Sequence, residues 1–285
     1  MLDGRPLIDV HLHAARLPTL KPAWKQWAHE FGGTAIIERV YDANGTVDPA
    51  RFDRYLAEEG VDIALLMSEY SPRVTGIQPV EDVLPITAHN PSRLKLIASV
   101  NPHLHYPVVS EFERQLALGA VALKLHPVHG GFAPADKELY PVYALCAERG
   151  VPVILHSGTS SFPGARTGFG DPELLIDVIE DFPDLQFVFA HGGRSWWYDT
   201  AAFLAQSKPN VWLDLAGLPP KKLPEYYNRF DLPRLATKWI FGTDWPGVPG
   251  ASRNVAALRE LGLPDDTVRA VLSGNAAKIF PGLDV

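Results

Sequence analysis

Four short segments carry side chains able to hold a metal ion or move a proton: Asp9-Val10-His11-Leu12-His13, Leu155-His156-Ser157-Gly158, Ala190-His191-Gly192-Gly193 and Gly242-Thr243-Asp244-Trp245-Pro246. Each sets an imidazole or a carboxylate just past a short apolar run. Neutral imidazoles and a carboxylate make a good donor set for a divalent ion. His11 and His13 are two apart, so on an extended strand both fall on one face. Asp9 stands before them, placed to orient an imidazole from behind. Taken singly, each piece has a plainer reading: a hydrogen-bonded core histidine, or an Asp turn before Pro246. Their recurrence at four strand ends favours one shared site.

Eight apolar runs read as strands: Leu7–His13, Val61–Met67, Leu94–Val100, Ala120–Leu125, Val151–His156, Gln186–Ala190, Val211–Leu215 and Trp239–Phe241. Most are near-continuous Val, Ile, Leu, Phe and Ala, the pattern of parallel strands buried on both faces. Helical patterns alternate with them, at Pro49–Glu59, Val80–His89, Val108–Leu118, Leu139–Arg149, Pro172–Asp181 and Thr200–Gln206. Gly60, Gly119 and Gly150 fit left-handed helix caps. Strands and helices in this order predict an α/β fold, a (β/α)8 TIM barrel spanning residues 1–285 as a single domain. An open doubly wound sheet would scatter the four segments along one edge, whereas a barrel gathers them at its carboxyl-end mouth.

Two features depart from a minimal barrel. A long insertion after the first strand, residues 14–48, carries Trp24, Trp27, Phe31 and Tyr41. It reads as a lid or substrate wall, or else as a structural extension or subunit contact. The last stretch, Asp265–Phe280, reads as a helix, a break at Gly274-Asn275 and a short final helix.

The formal charge of −7 disfavours phosphate polymers and anionic membranes, and leaves a small acidic substrate open where a local cation dominates the pocket. No apolar run approaches the length of a membrane span, and the first residues lack the uninterrupted apolar stretch of a signal peptide. Cys146, the single cysteine, cannot form an internal disulfide and falls in a helical pattern. The expectation is a cytoplasmic protein acting on a small molecule, without nucleic-acid or membrane partners; a homo-oligomer is compatible with it.

Further residues are candidates with an even alternative. Lys124, in Ala122-Leu-Lys-Leu-His-Pro127, would meet a substrate carboxylate or phosphate, or pair with Asp244 or another acid. Arg194 and Arg166 read as anion clamps or exposed loop residues. Trp196, Trp197 and Tyr198 read as an aromatic wall over the pocket or as packing under a loop. His126 and His129 stand near enough to matter, or else only shape the loop, and Glu69, near the second strand's end, is a weaker polar candidate.

The ordered set of His-x-His, His, His and Asp on the first, fifth, sixth and eighth strands resembles the amidohydrolase superfamily. Within it the chain is similar to the branch typified by aminocarboxymuconate-semialdehyde decarboxylase. The similarity runs from Ile8-Asp9-Val10-His11-Leu12-His13 to Gly274-Asn275-Ala276-Ala277. It implies that His11, His13, His156 and Asp244 hold one divalent metal ion, zinc first and manganese second. It implies also that His191 is catalytic rather than a ligand. In binuclear relatives His191 would join a second metal, with a carboxylated Lys124 as bridge. The mononuclear pattern favours an unmodified Lys124 that binds substrate together with Arg194 and Trp196.

These residues predict a metal-dependent hydrolase of a small carboxylate-bearing or aromatic lactone, ester or amide, using metal-activated water. His191 or Asp244 would take the proton. A non-oxidative decarboxylase on the same site is the alternative. A barrel kept only for binding or assembly is disfavoured, because every ligand position is filled.

Overall fold

Runs of Val, Ile and Leu four to eight residues long form the strands here because their branched side chains pack on both faces of a pleated sheet. In the computed structural model, which describes residues 6–248 and 250–283, eight of them form one sheet. They are β1 (Ile8–Leu12), β2 (Ile63–Met67), β3 (Leu94–Ser99), β4 (Ala120–Leu125), β5 (Val153–Gly158), β6 (Phe187–Arg194), β7 (Val211–Asp214) and β8 (Trp239–Ile240). Each pairs in parallel with the next in chain order. The ring closes between β8 and β1 through Val10 N to Phe241 O (3.2 Å) and a parallel bridge between Leu12 and Trp245. The architecture is the expected TIM barrel.

The strand residues sort into two cores by alternation. Ile8, Val10, Ile97, Ala122, Ile154, Val188, Trp212 and Ile240 pack together inside the barrel. Their neighbours, among them Leu96, Leu123, Val153, Phe187, Leu213 and Trp239, pack outward under the helices. Those helices include Pro49–Glu58, Val80–His89, Val108–Ala117, Tyr140–Arg149, Tyr198–Ser207 and Ala251–Arg259. Gly60, Gly119 and Gly150 take φ of 76°, 93° and 62°, the left-handed caps expected of them. Cys146 is buried in the Tyr140–Arg149 helix. No helix among the described residues is long and apolar enough to cross a membrane.

Three local features differ from the sequence reading. The final stretch has no break at Gly274-Asn275. Gly274 is helical (φ −59°, ψ −40°), and a wide turn over Ala270–Gly274 joins the helices Asp265–Arg269 and Asn275–Ile279. The Asn275 amide explains the continuity, since it donates to Thr237 O (3.1 Å) and Trp239 O (2.8 Å) and pins this segment under β8. Next, β5 and β6 run on through Ser157-Gly158 and Gly192-Gly193, past the strand ends His156 and Ala190 read from the sequence. Gly158 pairs with Arg194, and a Cβ there would lie 2.5 Å from Arg194 N and O. Finally, an unforeseen hairpin, Glu69–Ser71 with Gly76–Gln78, stands on the mouth after β2.

Candidate metal centre

Strand alternation delivers some site residues directly. Lys124 follows Ala122 by two, His156 follows Ile154, and Asp214 follows Trp212, so all three keep step with the inner core. His11 does not, since it is one past the inward Val10. Between Asp9 and Leu12, β1 advances three residues while β2 advances two, from Ala64 to Leu66. This inserted residue reverses the phase, so His11 and His13 both line the mouth and Leu12 joins the outer core. His191 is likewise out of step with Val188 and Ala190, and there the backbone turns left-handed, at φ 62°. Asp244 takes φ 67°. Such conformations cost non-glycine residues on the order of 1–3 kcal/mol each. Both are held by neighbours: Asp244 N donates to His11 O (3.0 Å), and His191 Nδ1 donates to Ala216 O (2.8 Å).

The gathered groups are buried. His11 Nδ1 lies 2.5 Å from Asp214 Oδ2. That contact keeps the ring proton on Nδ1 and turns the Nε2 lone pair into the site. His11 Nε2 stands 3.4 Å, and His13 Nε2 3.3 Å, from the same Asp244 oxygen. His191 joins them, its Nδ1 3.9 Å from the other Asp244 oxygen. His11, His191 and Asp244 bring three ligand atoms within 4.8 Å of one another. Burial, with Lys124 and Arg194 nearby, pushes the His156 and His191 imidazoles well below their usual range, so both are neutral at pH 7. Burial would raise the Asp244 carboxyl, but its contacts with His13, His11 and Arg194 outweigh burial and keep it ionised.

This donor set fits a divalent cation. Two imidazole Nε2 atoms converge on one carboxylate oxygen, and the buried His156 Nε2 has no hydrogen-bond partner. A buried nitrogen without a partner marks a place where a ligand belongs. All four implied ligands, His11, His13, His156 and Asp244, line one cavity of about 350 Å³.

Other candidates fall on both sides of that cavity wall. Lys124 is fully buried with Nζ 3.3 Å from His11 Nε2, and burial pushes its ammonium down to about 8. Among the described residues it makes no ion pair, so pairing with Asp244 is not seen. Arg194 lines the cavity and donates to Thr159 O (3.1 Å). Gly217 leaves room beside it; a Cβ there would lie 2.9 Å from Asp244 Oδ2 and 3.2 Å from Arg194 Nη1. Trp196 is not in the wall; it is 73% exposed and lies edge-on to Trp197. Trp24, Trp27, Phe31 and Phe162 form the aromatic side. Three of these come from the insertion, while its Tyr41 is core and stacks on Trp245. Arg166 faces a separate cavity with Arg73. Asp9 turns away from the imidazoles. It accepts from His11 N (3.1 Å), Thr243 N (3.0 Å) and Thr243 Oγ1 (2.7 Å), and so ties β1 to the loop bearing Asp244.

Sequence reading missed Asp214. Its signal, an Asp ending the apolar run Val211-Trp212-Leu213, was present but was not read as chemistry. Asp214→Asn removes the anion that fixes the His11 tautomer. Loss of such a supporting carboxylate typically costs about 10–100-fold in metal affinity or activity. That loss is expected here, read by metal competition against a chromophoric chelator. Unchanged affinity and rate would leave Asp214 a packing residue.

The amidohydrolase family model matches residues 8–282. No curated protein matches the chain in sequence. Among solved structures, an uncharacterised TIM-barrel protein from Bordetella bronchiseptica superposes with a TM-score of 0.79 at 22% identity, covering 96% of this chain and 98% of that one. A probable 2-pyrone-4,6-dicarboxylic acid hydrolase from Acinetobacter baumannii, with citric acid bound, gives 0.65 at 17% identity, covering 96% and 99%. A 5-carboxyvanillate decarboxylase from Novosphingobium aromaticivorans, complexed with manganese and a nitrobenzoic acid, gives 0.67 at 16% identity, covering 96% of each.

Proposed function

The chain belongs to the amidohydrolase family, and from that premise we propose that it hydrolyses a small carboxylate-bearing or aromatic lactone, ester or amide. The observation that carries this reading is the convergence of His11 Nε2 and His13 Nε2 on Asp244, with Lys124 and Arg194 lining the same cavity. His11, His13, His156 and Asp244 would hold one divalent ion, zinc first and manganese second. When bound, that ion supplies a Lewis acid for the carbonyl and acidifies a water.

The chain's own residues do the rest. His191 is neutral and commits Nδ1 to Ala216 O, so its Nε2 is the basic atom. It or the ionised Asp244 accepts the water's proton, and the other steadies the charge or returns a proton to the leaving group. Lys124 and Arg194 are the cations that would hold a substrate carboxylate. The aromatic side suits a planar ring and excludes water from it.

Lys124→Ala is expected to raise KM by about 10–100-fold, the worth of one charge-assisted hydrogen bond, while metal content stays unchanged. Metal analysis beside steady-state kinetics checks both. Metal lost in step with activity would make Lys124 part of the metal shell.

Decarboxylation is the second reading. Two cations beside the metal centre would equally hold a carboxylate that departs as CO2, and the fold is shared with a carboxyvanillate decarboxylase. A parallel screen decides between them: acid release from pyrone lactones and aryl esters against CO2 release from hydroxybenzoates. Turnover only in the second arm would overturn hydrolysis.

A further inference from the structure

One wall of the cavity holds a second set of reactive groups, set beside the metal ligands, with Glu69 Oε2 3.9 Å from His13 Nδ1. His129 sits on the short helical turn Pro127–Gly130 after β4, Ser160 two residues beyond β5, and Glu69 on the hairpin after β2. Ser160 Oγ lies 3.0 Å from His129 Nε2, and His129 Nδ1 lies 3.3 Å from Glu69 Oε1. His129 and Glu69 are buried, Ser160 is partly exposed, and all three line the cavity.

The surrounding hydrogen bonds set the direction of every proton in this chain of groups. Thr75 Oγ1 donates to Glu69 Oε1 (2.5 Å), which marks that oxygen as an acceptor. His129 therefore donates from Nδ1 and is left with a lone pair on Nε2. Phe162 N donates to Ser160 Oγ (3.3 Å), so the serine's own proton is free to point at that lone pair. The Phe162 ring, edge-on to His129 with centroids 5.5 Å apart, fixes the imidazole plane. A nucleophile bonded to a base, and a base oriented by a carboxylate, is the arrangement that activates a hydroxyl. His126, stacked 6.1 Å from His129, is buried with no hydrogen bond to either ring nitrogen, and its Nε2 stands 3.9 Å from Glu69 Oε2. Its N–H would be satisfied by a carbonyl oxygen entering the cavity, as in an oxyanion site.

We propose that Ser160, His129 and Glu69 form an acyl-transfer site that does not require the metal, acting on small aryl esters. Ser160 Oγ bonds to the acyl carbon and its proton passes to His129. The ester C–O bond breaks, and the leaving alcohol takes that proton. Water then cleaves the acyl-serine by the same proton route, which releases the acid and restores the hydroxyl. A fluorophosphonate follows the first half only: the serine oxygen bonds to phosphorus, and fluoride and the proton depart.

The test is labelling of the full chain with a fluorophosphonate, followed by intact mass and peptide mapping. One adduct per chain at Ser160 is expected, at the same rate in protein as purified and after chelation. Ser160→Ala should lose the adduct with an unchanged circular dichroism melt. His129→Gln should slow labelling by about 100-fold, within the range for a lost general base. No adduct, an adduct elsewhere, or equal labelling of Ser160→Ala would overturn the proposal. Chelation separates this site from the metal-dependent activity, so either can fail without the other.

Discussion

Asp244→Asn is expected to lose its metal and lower kcat/KM by on the order of 10³-fold, with the barrel intact. A metal's Lewis-acid contribution is several kcal/mol, and each ~1.4 kcal/mol is tenfold in rate. Asp244 is the group on which His11 and His13 converge, so removing its charge leaves two buried imidazoles facing a neutral amide. The substitution is chosen for the backbone. Asp244 sits at φ 67°, a conformation that asparagine tolerates and alanine resists. Fold and site are separable here, because the inner core of Ile8, Val10, Ala122, Ile154 and Ile240 lies below the mouth. His11→Ala should behave alike. Elemental analysis after purification without chelator, with far-UV circular dichroism as control, is the measurement. An Asp244→Asn protein with full metal and near-normal rate would remove Asp244 from the centre.

The barrel was legible because buried parallel strands leave continuous apolar runs, and four of the eight runs end at or just before an imidazole or carboxylate. The face each residue takes was less legible. Spacing of two placed His11 and His13 together, and they are together, but an inserted residue in β1 is what points them inward. The same device sends Asp9 outward, although spacing alone would align it with both histidines. Nothing in Asp9-Val10-His11 announces a bulge, since it arises from closure of β1 against both β2 and β8. The roles of Asp214 and of the Glu69 hairpin were less legible for a different reason. Their significance depends on which imidazole lies opposite, a long-range fact, since His11 and Asp214 are 203 positions apart. The misplacement of Trp196 has a local cause. Ser195 takes φ 70°, and the chain after it carries the indole to the surface.

His191→Asn is expected to keep its metal and lose about 10²–10⁴-fold in kcat, the range for one general acid or base. The structure adds reasons to the choice of asparagine. His191 is held at φ 62°, which asparagine accepts without new strain. The asparagine amide can also donate to Ala216 O, as His191 Nδ1 does at 2.8 Å. What disappears is the basic Nε2 alone, so a loss of rate reports on proton transfer rather than collapse of the site. Substrate binding should change less, because Lys124 and Arg194 remain. His191 also stands within 4.8 Å of the His11 and Asp244 donor atoms, which makes ligation the rival role, and the experiment separates the two. Metal retained with turnover lost makes His191 the proton carrier. Metal lost in proportion to turnover makes it a ligand, and the centre then draws on β6 as well as β1, β5 and the loop after β8. A near-normal kcat would exclude both roles and leave the left-handed turn at His191 without a functional account.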